Sequence, residues 1–178
     1  MTDASRDWPS SARRLYDSHA ISKALDEQAK RLASQVAEGE EVTLMALMNG
    51  GLMPAAELAK RLCFPFRFDY LHATRYREAR VGQDLHWIRK PSKVSGTVIV
   101  VDDIFDEGYT MAAVKEALEE AGADRVLTIV AVRKQHERGL PRDWVDDFAL
   151  EVPDEYVFGF GMDLDGLWRQ LDSIWSVS

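Results

Sequence analysis

The chain has 178 residues, 46% hydrophobic and 29% charged, with a formal net charge of −8. This is ordinary for one globular domain spanning residues 1–178, while the acidic balance argues against non-specific nucleic-acid binding, which needs a basic surface. A single cysteine excludes an internal disulfide and suits a reducing cytoplasm, and no apolar run approaches the ~20 residues of a membrane span.

Residues 1–11 are polar, unlike a signal peptide, and are expected to fray; the segment 1–17 as a whole is expected to be partly flexible. Ile21, Leu25, Ala29, Leu32 and Val36 recur at helical spacing, with Ser18 as the candidate cap and Gly39 as the stop. Residues 42–48 read as a buried strand, followed by Asn49-Gly50-Gly51 and a helix over 54–62 with Pro54 in its first turn. A strand over 66–70 leads into a polar, arginine-rich stretch without a clean period, so residues 71–84 are expected to form a long mobile loop. A returning strand over 85–89 would make that loop the tip of a hairpin. Residues 98–101 are four β-branched side chains in a row, a strand buried on both faces. A helix over 109–121 closed by Gly122, a strand over 126–132, and short strands over 148–152 and 156–160 complete the chain. Alternating strands and helices imply an α/β fold around a parallel sheet.

The strand over 98–101 ends in Asp102, Asp103 and Asp106, then Gly108 and Thr110 open a helix. Backbone N–H groups at such a turn, with the positive end of the helix dipole, hold a phosphate. Asp102 and Asp103 suit a ribose diol, or a magnesium ion and its waters. A merely solvated acidic loop is the plain alternative. In an open α/β sheet the ligand lies beyond the carboxyl ends of the strands. Asn49-Gly50-Gly51, residues 102–110, Lys134 and Asp163 all fall there. Lys134 alone would read as a solvated strand-end charge. His19, His72, His86 and His136 show no metal-ligand spacing and receive no role.

The segment 98–110 resembles the phosphoribosyl-pyrophosphate (PRPP) loop of type I phosphoribosyltransferases, and from about Ser18 onward the chain resembles the hypoxanthine-guanine phosphoribosyltransferase family. The resemblance implies a central, mostly parallel sheet flanked by helices, a small hood over residues 150–178, and a mobile hairpin loop. It implies an enzyme of purine salvage that joins hypoxanthine or guanine to PRPP with magnesium, acting as a cytoplasmic homo-oligomer, a dimer or a tetramer. Asp106 matches the general acid/base near N7 of the purine. Asp102 and Asp103 match the acidic pair at the ribose hydroxyls, and Glu107, Gly108, Tyr109 and Thr110 the 5′-phosphate cradle. Met48-Asn49-Gly50-Gly51 matches the pyrophosphate loop, with its non-proline cis peptide, and Arg169 a second pyrophosphate contact. Arg75 and Tyr76 fall in the loop that closes over the reacting centre and excludes water. Lys134 matches the contact to the purine 6-oxygen, Tyr156 the stacking aromatic, Val157 a backbone contact to the base edge, and Asp163 a magnesium ligand with Asp102 and Asp103. Three positions depart from the family. Glu107 replaces a small hydroxyl residue and is expected to point outward, Tyr109 replaces a residue that is often Lys or Asn, and Asn49 replaces a lysine. Two other functions compete: a non-catalytic regulator binding PRPP or a nucleotide, and a transferase for another base such as xanthine or orotate.

Overall fold

The structure is a computed structural model that describes residues 9–74 and 86–177. Its large sheet contains β2 (Val42–Met48), β3 (Arg67–Thr74), β4 (His86–Arg89), β5 (Thr97–Phe105), β6 (Arg125–Lys134) and β7 (Asp147–Val152), in the order β4-β3-β2-β5-β6-β7. All neighbours pair parallel except β3 with β4, which run antiparallel. Three helices, α1 (Ser18–Ala33), α2 (Leu52–Ala59) and α3 (Tyr109–Glu120), supply the covering faces. A small second sheet joins β1 (Arg13–Tyr16), β9 (Ile174–Val177) and β8 (Tyr156–Phe158) in that order. The fold is the expected α/β fold with a central, mostly parallel sheet flanked by helices.

Strand geometry sends successive side chains to opposite faces, and β5 shows why its β-branched run has to be continuous. Val98 and Val100 pack with Met111, Val114 and Leu118 of α3, whereas Ile99 and Val101 pack with Ala55 and Leu58 of α2. All four β5 side chains are essentially inaccessible. Each such side chain contributes about 1.5–3 kcal/mol on burial, so a polar residue at any of them would be costly. Buried Gln28 of α1 donates to Val130 O at 3.1 Å and Asp147 Oδ1 at 3.2 Å, while Arg31 grips Asp147 through two 2.7 Å bonds. These bonds fix the helix across β6 and β7.

Several boundaries differ from the sequence expectation. The cap of α1 is Asp17, whose Oδ1 accepts the Ala20 N–H at 2.9 Å, and Ser18 is the first helical residue. Asp and Ser cap about equally well, so composition alone does not separate them. The helix stops at Ala33 rather than Gly39, because the chain turns there to enter β2. Residues 71–74, expected in the mobile loop, extend β3, with Leu71 and Ala73 buried beside β2. The remainder of that loop, including Arg75 and Tyr76, lies outside the described residues. Part of the segment expected to be flexible is strand β1, paired antiparallel with β9. Arg13 also binds Glu155 at 2.8 and 2.9 Å, and the Tyr16 hydroxyl donates to Glu151 O at 2.6 Å. Among the described residues, no helix is long and apolar enough to cross a membrane.

Candidate active site

The acidic strand end is longer and more rigid than a loop. β5 keeps its pairing with β6 through Asp102↔Val130, Ile104↔Val132 and Phe105↔Arg133, so Asp102 and Asp103 lie within the ladder. The turn narrows to residues 106–108. Gly108 caps α3 with φ +83°, a left-handed backbone that a side chain would strain, and no side chain caps the helix there. The first-turn N–H groups of α3, with Tyr109 and Thr110, therefore open on a cavity of ≈350 Å³ lined by residues 102–111 and Arg138. Glu107 is exposed and stands among the residues lining this cavity, and its carbonyl accepts the Leu140 N–H at 2.9 Å.

Beside this cradle, two main chains come almost into contact. The Met48–Asn49 peptide is cis, as the resemblance implies. A Cβ on Gly50 would sit 2.0 Å from Asp103 Oδ2, and one on Gly161 would sit 2.2 Å from Gly50 O. Glycine is the only residue that fits either position. Arg169 spans the same place, donating to Gly161 O at 2.6 Å and Asp163 Oδ1 at 2.5 Å, with its Nη1 3.6 Å from Asp103 Oδ2. Burial, followed by the neighbouring Asp103 charge, pushes the Asp102 carboxyl well above the ordinary range. Burial also raises Asp103, against the pull of its hydrogen bond with Asp102 and of the Arg169 charge.

Two adjacent carboxyl groups, once ionised, are a donor set for a hard cation. Among the described residues no three His, Cys, Asp or Glu side chains converge on a common metal position. Asp163 engages both its oxygens, with Arg169 and with the Gly166 N–H at 2.8 Å. Magnesium characteristically takes one or two carboxylates and completes its shell with water and substrate phosphates. Asp102 and Asp103 fit an ion of that kind, arriving with a phosphorylated ligand.

Asp106, the first residue past β5, is half-buried and bound on both oxygens. Lys134 Nζ donates to Oδ2 at 2.9 Å, and His136 Nε2 lies 2.6 Å from Oδ1. Burial alone would raise the Asp106 carboxyl, but the Lys134 and His136 contacts outweigh it and hold the group below its usual range. Arg138 grips Asp154 through bonds of 2.6 and 2.7 Å, and this pairing lowers Asp154 to about 2. Asp154 belongs to the turn just before Tyr156, so the pair ties the segment after β6 to the small sheet. Tyr156 is 50% exposed, whereas Val157 buries its side chain with Phe160 and Ile174 and pairs with Ser176 of β9.

A family model for the phosphoribosyl transferase domain matches residues 11–166. The chain belongs to the phosphoribosyltransferase family. The hypoxanthine phosphoribosyltransferase of Salmonella typhimurium is 28% identical over 149 residues, covering 78% of this chain and 79% of that protein. The hypoxanthine-guanine phosphoribosyltransferase of Crithidia fasciculata is 26% identical over 184 residues, covering 95% and 86%. The crystal structure of a hypoxanthine-guanine phosphoribosyltransferase from Bacillus anthracis superposes with a TM-score of 0.85 at 23% identity, covering 93% of this chain and 98% of that one. At that identity the superposition shows the fold.

The structure thus brings Asp102, Asp103, Gly50, Asp163 and Arg169 into one cluster, and Asp106 and Lys134 into another that shares the β5 end. Two residues that sequence reasoning left without a role, His136 and Arg138, complete the second cluster. The available signal for His136 was its spacing from Lys134. That signal is weak, because β6 ends at Lys134 and His136 lies beyond the strand.

Proposed function

We propose that this phosphoribosyltransferase joins hypoxanthine or guanine to PRPP, giving IMP or GMP and pyrophosphate. The observation that carries the reading is the Asp106–Lys134 pair standing beside the ≈350 Å³ cavity at the end of β5, onto which the first turn of α3 opens. An acid/base group and a 6-oxo donor are thereby adjacent, next to the place for a ribose 5-phosphate. The names of the relatives point to the same substrates.

In this reading N9 of the purine attacks C1 of the ribose, and the C1–O bond to pyrophosphate breaks with its electrons leaving on the oxygen. The purine proton near N7 passes to Asp106, which is ionised and able to accept it. Lys134 donates to the 6-oxygen, Tyr156 stacks on the ring, and the Val157 backbone meets the base edge. Asp102 and Asp103 accept from the ribose hydroxyls. The N–H groups of residues 107–110 and the Thr110 hydroxyl hold the 5′-phosphate, and Asn49, Gly50 and Arg169 hold the pyrophosphate. Magnesium, held by Asp102 and Asp103 with Asp163 nearby, would neutralise charge developing on the leaving oxygens. A cytoplasmic assembly of two or four copies belongs to the same proposal.

The test is nucleotide formation from a panel of bases with PRPP and magnesium. Hypoxanthine and guanine should be consumed and adenine spared. PRPP binding without turnover of any base would favour a regulator, and turnover of xanthine alone would reassign the base.

Two further outcomes are expected at the cradle and the pyrophosphate loop. Thr110→Ala should weaken PRPP binding by about 1.5–3 kcal/mol, the worth of a hydrogen bond to a charged oxygen, whereas Glu107→Thr should leave it level or tighter, with any gain fading as salt rises. Titration calorimetry at two ionic strengths separates these effects. Gly50→Ala has to displace Asp103 or the loop, and should slow nucleotide formation by roughly 10²-fold, the scale of a 1 Å misplacement.

A further inference from the structure

His136 has both ring nitrogens engaged and a side chain only 5% exposed. Its Nε2 lies 2.6 Å from Asp106 Oδ1, and its Nδ1 accepts the Arg138 backbone N–H at 3.1 Å. An ionised carboxylate only accepts, so Nε2 carries a proton; a ring nitrogen that accepts an N–H carries none. The hydrogen-bond pattern therefore assigns the neutral Nε2–H tautomer. The segment that holds it is pinned as well. Arg142 donates to Lys134 O at 3.3 Å, Arg138 O at 2.7 Å and Leu140 O at 2.9 Å. The charged groups around the imidazole are Asp106, Lys134, Arg138 and Asp154.

Lys134 and His136 hold the same carboxylate on different terms. Lys134 ends a flexible four-carbon stem, and a purine 6-oxygen would offer its ammonium a new acceptor. His136 is buried and already satisfied at Nδ1, so nothing draws it away from Oδ1.

We propose that His136 is the positioning residue for Asp106: it keeps Oδ1 hydrogen-bonded while Lys134 passes from Oδ2 to the purine, so that Oδ2 alone faces the purine proton. This inference rests on the function proposed above. A carboxylate held by one oxygen cannot swing about its last torsion, and retained orientation is a large part of what a positioned base contributes. The same bond helps to keep Asp106 ionised.

The test compares His136→Ala, His136→Asn and His136→Gln in the full chain, with hypoxanthine, PRPP and magnesium, alone and combined with Asp106→Asn. Glutamine can place an amide N–H where Nε2–H stands; asparagine falls short and alanine has no donor. His136→Ala and His136→Asn should lower kcat by roughly 10-fold or more while the KM for PRPP holds, and His136→Gln should recover most of that loss. The acidic limb of kcat/KM should move to higher pH in His136→Ala, because the carboxyl loses a contact that holds it low. In the Asp106→Asn background, His136→Ala should cost nothing further, as expected of residues acting as a unit. Wild-type turnover in all three variants, a glutamine no better than asparagine, or additive slowing on Asp106→Asn would each overturn the proposal. If His136→Ala fails to fold, the contrast between glutamine and asparagine, both polar, decides alone. Should Asp106→Asn itself turn over like the wild type, the proposed base is wrong and this inference falls with it. A slow Asp106→Asn beside unaffected His136 variants would remove this inference only.

Discussion

Asp106→Asn should yield a folded protein that forms nucleotide roughly 10²–10⁴-fold more slowly, the usual contribution of a positioned acid/base group. The substitution keeps the size of the side chain but removes its charge. It also leaves one oxygen for two donors, since Lys134 and His136 each address a separate oxygen of the carboxylate. The amide NH2 must then face a donor. PRPP affinity should change little, because the proposed phosphate contacts of residues 107–110 are backbone N–H groups and the Thr110 hydroxyl, not Asp106. Single-turnover rates with PRPP and hypoxanthine, beside PRPP titrations, check both statements. Wild-type turnover would show that the purine proton goes elsewhere.

Lys134→Gln should have the second large effect, on the choice of base. The lysine side chain is 12% exposed, and its ammonium offers three donors and no acceptor. A 6-oxo group offers it a new acceptor, whereas the 6-amino group of adenine offers none and would leave Lys134 on Asp106. A site that depends on such a hydrogen bond can reject the wrong ligand by as much as ~10⁴-fold. Glutamine presents either a donor or an acceptor to position 6, so the preference for hypoxanthine over adenine should shrink by one or more orders of magnitude. Turnover of the 6-oxopurines should fall by roughly 10- to 100-fold, in keeping with about 1.5–3 kcal/mol for a charged hydrogen bond. Unchanged kcat/KM for hypoxanthine and guanine would leave Lys134 as nothing more than the ion-pair partner of Asp106.

Strands β2, β5 and β6 were legible because short continuous apolar runs, β-branched in β5, leave a helix no amphipathic face, and their ends located the candidate site. The β1–β9 pair was not. Each strand has four residues, and their pairing partners lie at opposite ends of the chain, where no local pattern records them. The start of the expected 71–84 loop was misread for a related reason. Edge-side residues such as Phe68 and Tyr70 stay exposed in β3, so the alternation that marks a half-buried strand is blurred. At the site, Asp102, Asp103 and Asp106 stood out through their position after an apolar strand. His136 did not, because its significance comes from a contact across 30 residues of chain with a carboxylate. Chain spacing reports neighbours in sequence, and this histidine's partner is a neighbour only in space.

The close approach of Gly50 to Gly161 bears on how this site could be redesigned. At the two glycines themselves there is no side chain to exchange and no room for a larger one, so the exchangeable group beside them is Arg169. Altering the glycine pair means moving whole segments, the turn after β2 or the connection that follows β8. On the roles proposed above, a directed-evolution library confined to point substitutions would change base preference, at Lys134 and its surroundings, more easily than the backbone part of the proposed diphosphate site.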